Sequence, residues 1–216
     1  PARCLMITGE GAAFCSGADL TDAQGLGFTG GKSLGEILDA HFLPVFAQLR
    51  NIDIPIVCAL NGPAVGIGVM LALMGDVIVA SETSSFRLHF SRIGLVPDGG
   101  LTYWLPRMLG RQKAMQMILL DTQLSAQEAL ENGLVSIVCP ADLVQEQALE
   151  VARAIAAGPP LANRLARRLV WDALEHSADQ HWQEESAAQT ACGKSADFKE
   201  GVMAFLQKRN PSFRGK

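Results

Sequence analysis

Short unbroken apolar runs alternate with helical spacing over the first part of the chain. Residues 4–8, 54–60 and 76–80 are runs expected of strands buried on both faces of a parallel-type sheet, and 84–87 reads as a shorter fourth strand. Residues 134–138 read as the last strand. Between these runs, residues 33–51 carry Leu34, Ile37, Leu38, Phe42, Val45, Phe46 and Leu49 at helical spacing, with Pro44 predicting a kink or a break. Residues 69–74 and 111–120 are further helical runs, and Ser125 opens a capping box with Glu128 for a helix that Gly133 closes. Strand, helix and strand in alternation predict an α/β core with right-handed crossovers. After Pro140 the strand signals vanish, and 142–157, 161–175, 179–190 and 195–207 read as amphipathic helices. The expected division is an α/β core over 1–140 and a helical region over 141–216 for core cover and subunit contacts.

The stretch from Asn61 to Arg107 holds the candidate chemistry. It opens on a glycine-rich turn, Asn61 to Gly68, directly before an apolar helical run. Glycines there allow close backbone approach, and the first N–H groups of a helix have no partner inside it, so an oxygen bearing negative charge fits. Thirty residues on, Pro97-Asp98-Gly99-Gly100 makes a second sharp turn into another apolar run and offers one carboxylate among uncharged residues. A backbone anion site with one carboxylate suits enolate chemistry beside a carbonyl.

Composition narrows the partners. With 49% hydrophobic residues the chain of 216 builds a large core, and its net charge of −4 carries no nucleic-acid footprint. Five cysteines without a CxxC pair indicate a reducing, cytoplasmic setting and no zinc site. His41, His89, His176 and His181 show no metal-ligand spacing. Asp76, Glu82 and Arg87 interrupt the best apolar run, so no membrane span is expected. The chain starts at Pro1, directly before a strand and without an initiator Met, which suggests that an opening βαβ element of the natural protein is absent. Arg164, Arg167 and Arg168 share one helix face and read as solvent-facing or interface residues.

With these segments read, the chain resembles the crotonase superfamily (enoyl-CoA hydratase/isomerase). The matching pieces, in order, are Ile7 to Gly9, Phe14 to Leu20, Pro55 to Val57, Asn61-Gly62, Gly66 to Gly68, Asp76, Phe86, Gly94 to Gly100, Leu105 to Arg107, Ala129 to Val135, and Asp197 to Arg209. The resemblance implies an α/β fold, a spiral of ββα turns with a helical C-terminal region, assembling as a homotrimer or a dimer of trimers. It implies an acyl-CoA substrate and no separate cofactor, coenzyme A being part of the substrate. It places two backbone N–H donors for the thioester oxygen at Ala18 and Ile67. Asp19, Leu20, Phe205 and Lys208 match segments that reach coenzyme A, and residues 25–31 match the region that shapes the acyl pocket.

The departures from the family pattern are informative. Two glutamates position water in hydratases of this family; at the matching positions stand Met70 and Phe90, which neither accept nor donate a proton. Asp98 remains, at a turn where dienoyl-CoA isomerases, a chlorobenzoyl-CoA dehalogenase and the phenylacetate-pathway ring isomerase carry their aspartate. The last group, with related enoyl-CoA isomerases, is closest in character. The expected site has Asp98 as acid/base, with Met70, Phe90, Gly66 and Gly68 lining an apolar pocket that favours isomerisation of a fatty or aromatic-pathway acyl-CoA. A weak hydratase, a dehalogenase or thioesterase, and a catalytically silent CoA-binding protein are the alternatives. Pro-Asp-Gly-Gly is also an ordinary turn, with aspartate a good N-cap, and His89 reads as structural or exposed.

Overall fold

A computed structural model of the chain describes residues 2–19 and 33–216, which divide into two units. The first comprises the described parts of Met6–Arg50 with Ile56–Leu149; the second comprises Glu150–Lys216 with the short segments 2–5 and 51–55. The expected site residues at Leu20 and 25–31 lie outside the described residues.

The strands are β1 (Leu5–Thr8), β2 (Ile56–Leu60), β3 (Ala64–Val65), β4 (Val77–Ser81), β5 (Ser85–Arg87), β6 (Leu124–Ser125) and β7 (Ile137–Cys139). The helices are α1 (Leu34–Ile37), α2 (Leu43–Asn51), α3 (Ile67–Leu73), α4 (Leu101–Leu109), α5 (Arg111–Leu120), α6 (Ala126–Glu131), α7 (Val144–Ala157), α8 (Pro160–Asp172), α9 (Ala178–Gly193) and α10 (Ala196–Leu206). One sheet has the order β1-β2-β4-β7, with β2–β4 and β4–β7 parallel. A second, smaller sheet has the order β3-β5-β6. Two successive passes of the chain lay one strand in the large sheet and the next in the small one: β2 then β3, β4 then β5. That is the spiral of ββα turns that the sequence resemblance implied.

All five residues of β2 are buried, as a continuous apolar run in a covered sheet requires. Asp76 Oδ2 accepts from Ile56 N–H at 2.7 Å, which fixes the start of β2 against the turn into β4. The capping box at Ser125 forms, Glu128 N–H reaching Ser125 Oγ at 3.2 Å and Ser125 N–H reaching Glu128 Oε2 at 2.9 Å. Gly133 follows it with φ of 74°, the left-handed conformation that ends a helix.

Several expectations need correction. The helix over 33–51 is interrupted by a π-helical segment, Leu38–Phe42, directly before Pro44. Proline has no N–H and its ring crowds the carbonyl four residues back, so the wider turn relieves the clash that sequence read only as a kink or break. The glycine-rich turn contains β3, and α3 starts at Ile67 rather than at 69. β6 and a 3₁₀ turn at Phe90–Ile93 were not foreseen, and the last strand is Ile137–Cys139 rather than 134–138.

In the second unit α8 begins with proline at its first turn, and α9 and α10 start on Ser177 and Ser195 as N-caps. Arg167 is not solvent-facing. It is 8% exposed, donates to Ile52 O at 3.0 Å and lies over the Trp171 ring. Asp197 Oδ1 and Oδ2 accept from Arg214 and Gly215 N–H, each at 2.7 Å, and so bind the C-terminal tail to α10.

Gly62 is where backbone crowding is most severe for the site. A Cβ there would lie 2.1 Å from Ala12 O, a main-chain atom. Gly62→Ala is therefore expected to lower stability by about 3 kcal/mol or more in urea unfolding. Gly193→Ala, where nothing lies within 4 Å, is expected to be neutral or stabilising.

Candidate active site

The site forms where residues 9–18 run beside the β3–α3 connection. The Asn61 side chain fastens the two: its Oδ1 accepts from Gly9 N–H at 3.0 Å, and its Nδ2 donates to Gly11 O at 2.9 Å and Ala13 O at 3.3 Å. Main-chain bonds continue the join, Phe14 N–H to Pro63 O at 3.0 Å and Val65 N–H to Cys15 O at 2.8 Å. Cys15 pairs with Ala64 as a parallel bridge, and Gly66 N–H donates to Arg87 O at 2.9 Å, so three chain segments lie side by side.

Gly17 and Gly66 meet at the end of this join. Both have positive φ, 97° and 56°. A Cβ on Gly17 would stand 3.1 Å from Val65 O and 3.9 Å from Gly66 Cα. Ala18 and Ile67, each one residue further, thus leave from a common point. Neither N–H donates to another described residue, and Ile67 is the first residue of α3, where an intrahelical acceptor does not exist. Gly68 is pressed against Cys15, with a built Cβ 2.6 Å from Cys15 O.

The Asp98 turn packs on the same helix start. A Cβ on Gly99 would lie 3.3 Å from Ile67 Cγ1 and 3.3 Å from Phe46 Cε2; one on Gly100 would lie 3.8 Å from Met70 Cε and 3.2 Å from Trp104 Cδ1. Met70 is 2% and Phe90 8% exposed, as lining residues of an apolar neighbourhood would be. Asp98 itself is half-buried, and its Oδ1 is buried without a hydrogen-bond partner among the described residues. Burial pushes its carboxyl above the ordinary carboxylate range, against a hydrogen bond from its own N–H. The N-cap of α4 is Gly100 with no side-chain cap bond, so Asp98 does not serve as the N-cap that its turn signature suggests.

In the first unit Gly17, the residue before Ala18, lies against Gly66, and Gly99 and Gly100, which follow Asp98, lie near Ile67 and Met70; Phe90 stands in the 3₁₀ turn that precedes the Asp98 turn. Asp19 is exposed in the same unit. Phe205 and Lys208 stand in the second unit, where Phe205 is 83% exposed beside a cavity of about 480 Å³ lined by Pro159, Leu161, Val202 and Phe213. Phe46 and Trp104 were not singled out in sequence, although both lie on helices next to glycine turns.

Asp121 was also missed. It is 3% exposed and ends α5 with φ of 53°. Its Oδ2 stands 3.1 Å from Arg87 Nε, 3.0 Å from Arg92 Nε and 3.0 Å from His89 Nδ1, while Oδ1 accepts from His89 N–H at 2.9 Å. These bonds tie β5 and the Phe90–Ile93 turn to the end of α5. Despite burial, the His89 N–H, the two guanidiniums and the imidazole hold its carboxyl below the ordinary range. The only sequence signal was an aspartate where a helix of this kind ends on glycine.

Comparison with known proteins places the chain among close relatives. The family model described as enoyl-CoA hydratase/isomerase matches residues 1–216. The 1,2-epoxyphenylacetyl-CoA isomerase of Escherichia coli is 39% identical over 215 residues, 99% of this chain and 82% of that protein. The 2,3-dehydroadipyl-CoA hydratase of the same organism is 36% identical over 211 residues, 98% of this chain and 80% of that protein. The crystal structure of an enoyl-CoA hydratase from Polaromonas sp. superposes with a TM-score of 0.93 at 31% identity, over 98% of this chain and 82% of that one.

The Asp121 cluster generates a pH prediction. A folded carboxyl pKa below the unfolded value contributes stability above the unfolded pKa of about 4, and that contribution is lost as pH falls through the lower folded value. Asp121→Asn is expected to cost roughly 1–3 kcal/mol at pH 7. The gap to wild type should shrink below about pH 4 in urea unfolding followed against pH.

Proposed function

This chain belongs to the enoyl-CoA hydratase/isomerase family, and we propose that within it the protein is an acyl-CoA isomerase that moves a proton through an enolate. Ala18 and Ile67 N–H hold the thioester oxygen as negative charge develops on it. Asp98 takes the proton from C2 of the acyl chain, and the carbon–hydrogen electron pair spreads over the thioester carbonyl and the adjoining double bond. The protonated Asp98 then returns that proton to C4, so the double bond shifts and nothing is added or lost. A single carboxylate suffices because it is regenerated at the end.

The observation that carries this reading is the buried, unpartnered Oδ1 of Asp98. A carboxylate with one oxygen buried and unpartnered is a stronger base, and carboxyls perturbed in this way concentrate at functional sites. Met70 and Phe90 support isomerisation over hydration, since neither can hold a water for attack. Phe46 and Trp104 beside the Asp98 turn, with the likeness to the epoxyphenylacetyl-CoA isomerase, favour a bulky or cyclic acyl group over a short straight one.

A panel of 3-enoyl and ring-epoxide acyl-CoA thioesters in deuterated water, followed by NMR, tests the proposal. Wild type should shift the double bond or rearrange the ring without adding solvent oxygen, and deuterium should reach the acyl group only as far as protonated Asp98 exchanges with solvent before it returns its proton. Product carrying a solvent hydroxyl would mark a hydratase instead. Asp98→Asn should lower turnover by about 10²–10⁴-fold, and turnover near wild type would remove Asp98 from the mechanism.

The raised carboxyl pKa adds a second expectation. The acid limb of kcat/KM should lie above about pH 4, because Asp98 has to be ionised to act as base. Ionised Asp98 also costs stability above its unfolded pKa, so Asp98→Asn should leave the melting temperature at pH 7 unchanged or higher. A clear fall would assign Asp98 a structural role instead.

A further inference from the structure

The turn from α8 into α9 holds a side-chain cluster that the proton-transfer chemistry leaves unused. His176 precedes Ser177, the N-cap of α9, and His181 and Glu184 lie three residues apart on that helix. One ligand atom from each of the three lies within 4.8 Å of the other two, and all three residues are half-buried. His176 Nδ1 is 2.9 Å from Glu184 Oε2. His181 Nε2 stands 3.6 Å from Glu185 Oε1, while its Nδ1 is buried with no hydrogen-bond partner among the described residues. A buried ring nitrogen left unsatisfied is unfavourable, and a cation bound at His181 Nδ1 would remove that cost. A carboxylate behind the second nitrogen is how metal-ligating histidines are oriented.

We propose that His176, His181 and Glu184 form a binding site for a divalent transition-metal ion of the zinc class. Two imidazole nitrogens and one carboxylate oxygen are a borderline donor set; magnesium and calcium call for oxygen throughout. Bonds of about 2.0–2.1 Å in tetrahedral geometry put ligand atoms ~3.4 Å apart, so atoms already within 4.8 Å of one another would close in by little more than an ångström. The backbone beneath is already set: Ser177 Oγ accepts from Gln180 N–H at 3.3 Å, and Ser177 O accepts from His181 N–H at 2.9 Å. Two neutral imidazoles, Glu184 and a divalent ion sum to one positive charge, which Glu185 balances. The ion would fasten the residue before the N-cap to the second turn of α9.

The histidines alone carry no metal-ligand spacing in the sequence. The third ligand is a glutamate, and the step from 176 to 181 crosses an N-cap rather than one helical turn.

The test uses the full chain, stripped with EDTA and titrated calorimetrically with zinc chloride, with magnesium chloride as control. The proposal expects one saturable zinc site per chain, no magnesium binding, and a rise in melting temperature with zinc. His181→Gln and Glu184→Gln should each weaken zinc binding about tenfold or more with circular dichroism unchanged, whereas His41→Gln should leave it intact. Should His181→Gln fail to fold, Glu184→Gln and the visible spectrum of the cobalt-loaded chain decide, nitrogen and oxygen ligation supporting the site and thiolate absorption refuting it. No saturable zinc binding, or wild-type affinity in both variants, overturns the proposal and leaves His176 and Glu184 as a hydrogen-bonded pair.

Discussion

Direct contact between two main-chain segments, with no side chain between them, is the constraint on which the site rests. Gly17 and Gly66 bring their Cα atoms together in conformations that other residues rarely adopt. Everything upstream serves that contact. The Asn61 amide holds residues 9–13, the bond from Phe14 to Pro63 and the bridge from Cys15 to Ala64 extend the join, and Gly68 lets Cys15 lie flat on α3. A methyl group at Gly68 would lie 2.6 Å from Cys15 O and force the segments to shift, while one at Gly17 or Gly66 would sit on a backbone with positive φ that alanine rarely adopts. The N–H groups of Ala18 and Ile67 would then no longer start from a shared point.

Two carboxylates of the same chemical type show how surroundings divide labour in this unit. Asp98 and Asp121 are both drawn out of water, yet their acidities move in opposite directions. Around Asp121 stand two guanidiniums, an imidazole and a main-chain N–H, so the ionised form wins despite burial, and the group acts as a fastener. Around the Asp98 turn stand Ile67, Phe46 and Met70, which offer no compensation, so burial wins and the carboxyl is held above the ordinary range, as the proposed base would need. The bonds of Asp121 hold the turn that leads from Phe90 towards Asp98. The low-energy carboxylate thus helps keep the high-energy one in place.

What sequence could reveal follows from the range of each interaction. Buried strands and capping boxes are written in neighbouring residues, so β2, β4 and the Ser125 box were legible; β1 forms where expected, but its residues are half-buried or exposed rather than buried on both faces. β3 and β6 are two residues long, too short for any periodicity, and exist only because partners from distant segments arrive beside them. Arg167 defeats helical-face reasoning because its acceptor, Ile52 O, is a main-chain atom far away in sequence. Asp121 looks like an ordinary helix-end residue until the chain brings Arg87, His89 and Arg92 to it. Asp98 was legible for a different reason: a turn signature in an apolar stretch, combined with Met70 and Phe90 where carboxylates were expected, left one acid to consider. Its unsatisfied oxygen and its failure to cap α4 were visible only in three dimensions.

The proposed isomerisation also explains why the acid and the oxygen-holding amide sit on adjoining pieces of backbone. Proton abstraction beside a thioester succeeds only if charge is stabilised on the oxygen while the base approaches the carbon, so both groups need to keep one spacing through the reaction. Gly99 packs so closely on the Ile67 side chain that a Cβ would stand 3.3 Å from Cγ1, which couples the Asp98 turn to the residue whose N–H would face the developing charge in this proposal. A hydratase needs a further fixed point, the attacking water, and therefore a second polar group with its own supports. Met70 and Phe90 remove that requirement and also remove the solvent that would screen the N–H dipoles and hydrate the carboxylate. Loss of the two glutamates is, on this view, what makes one aspartate sufficient.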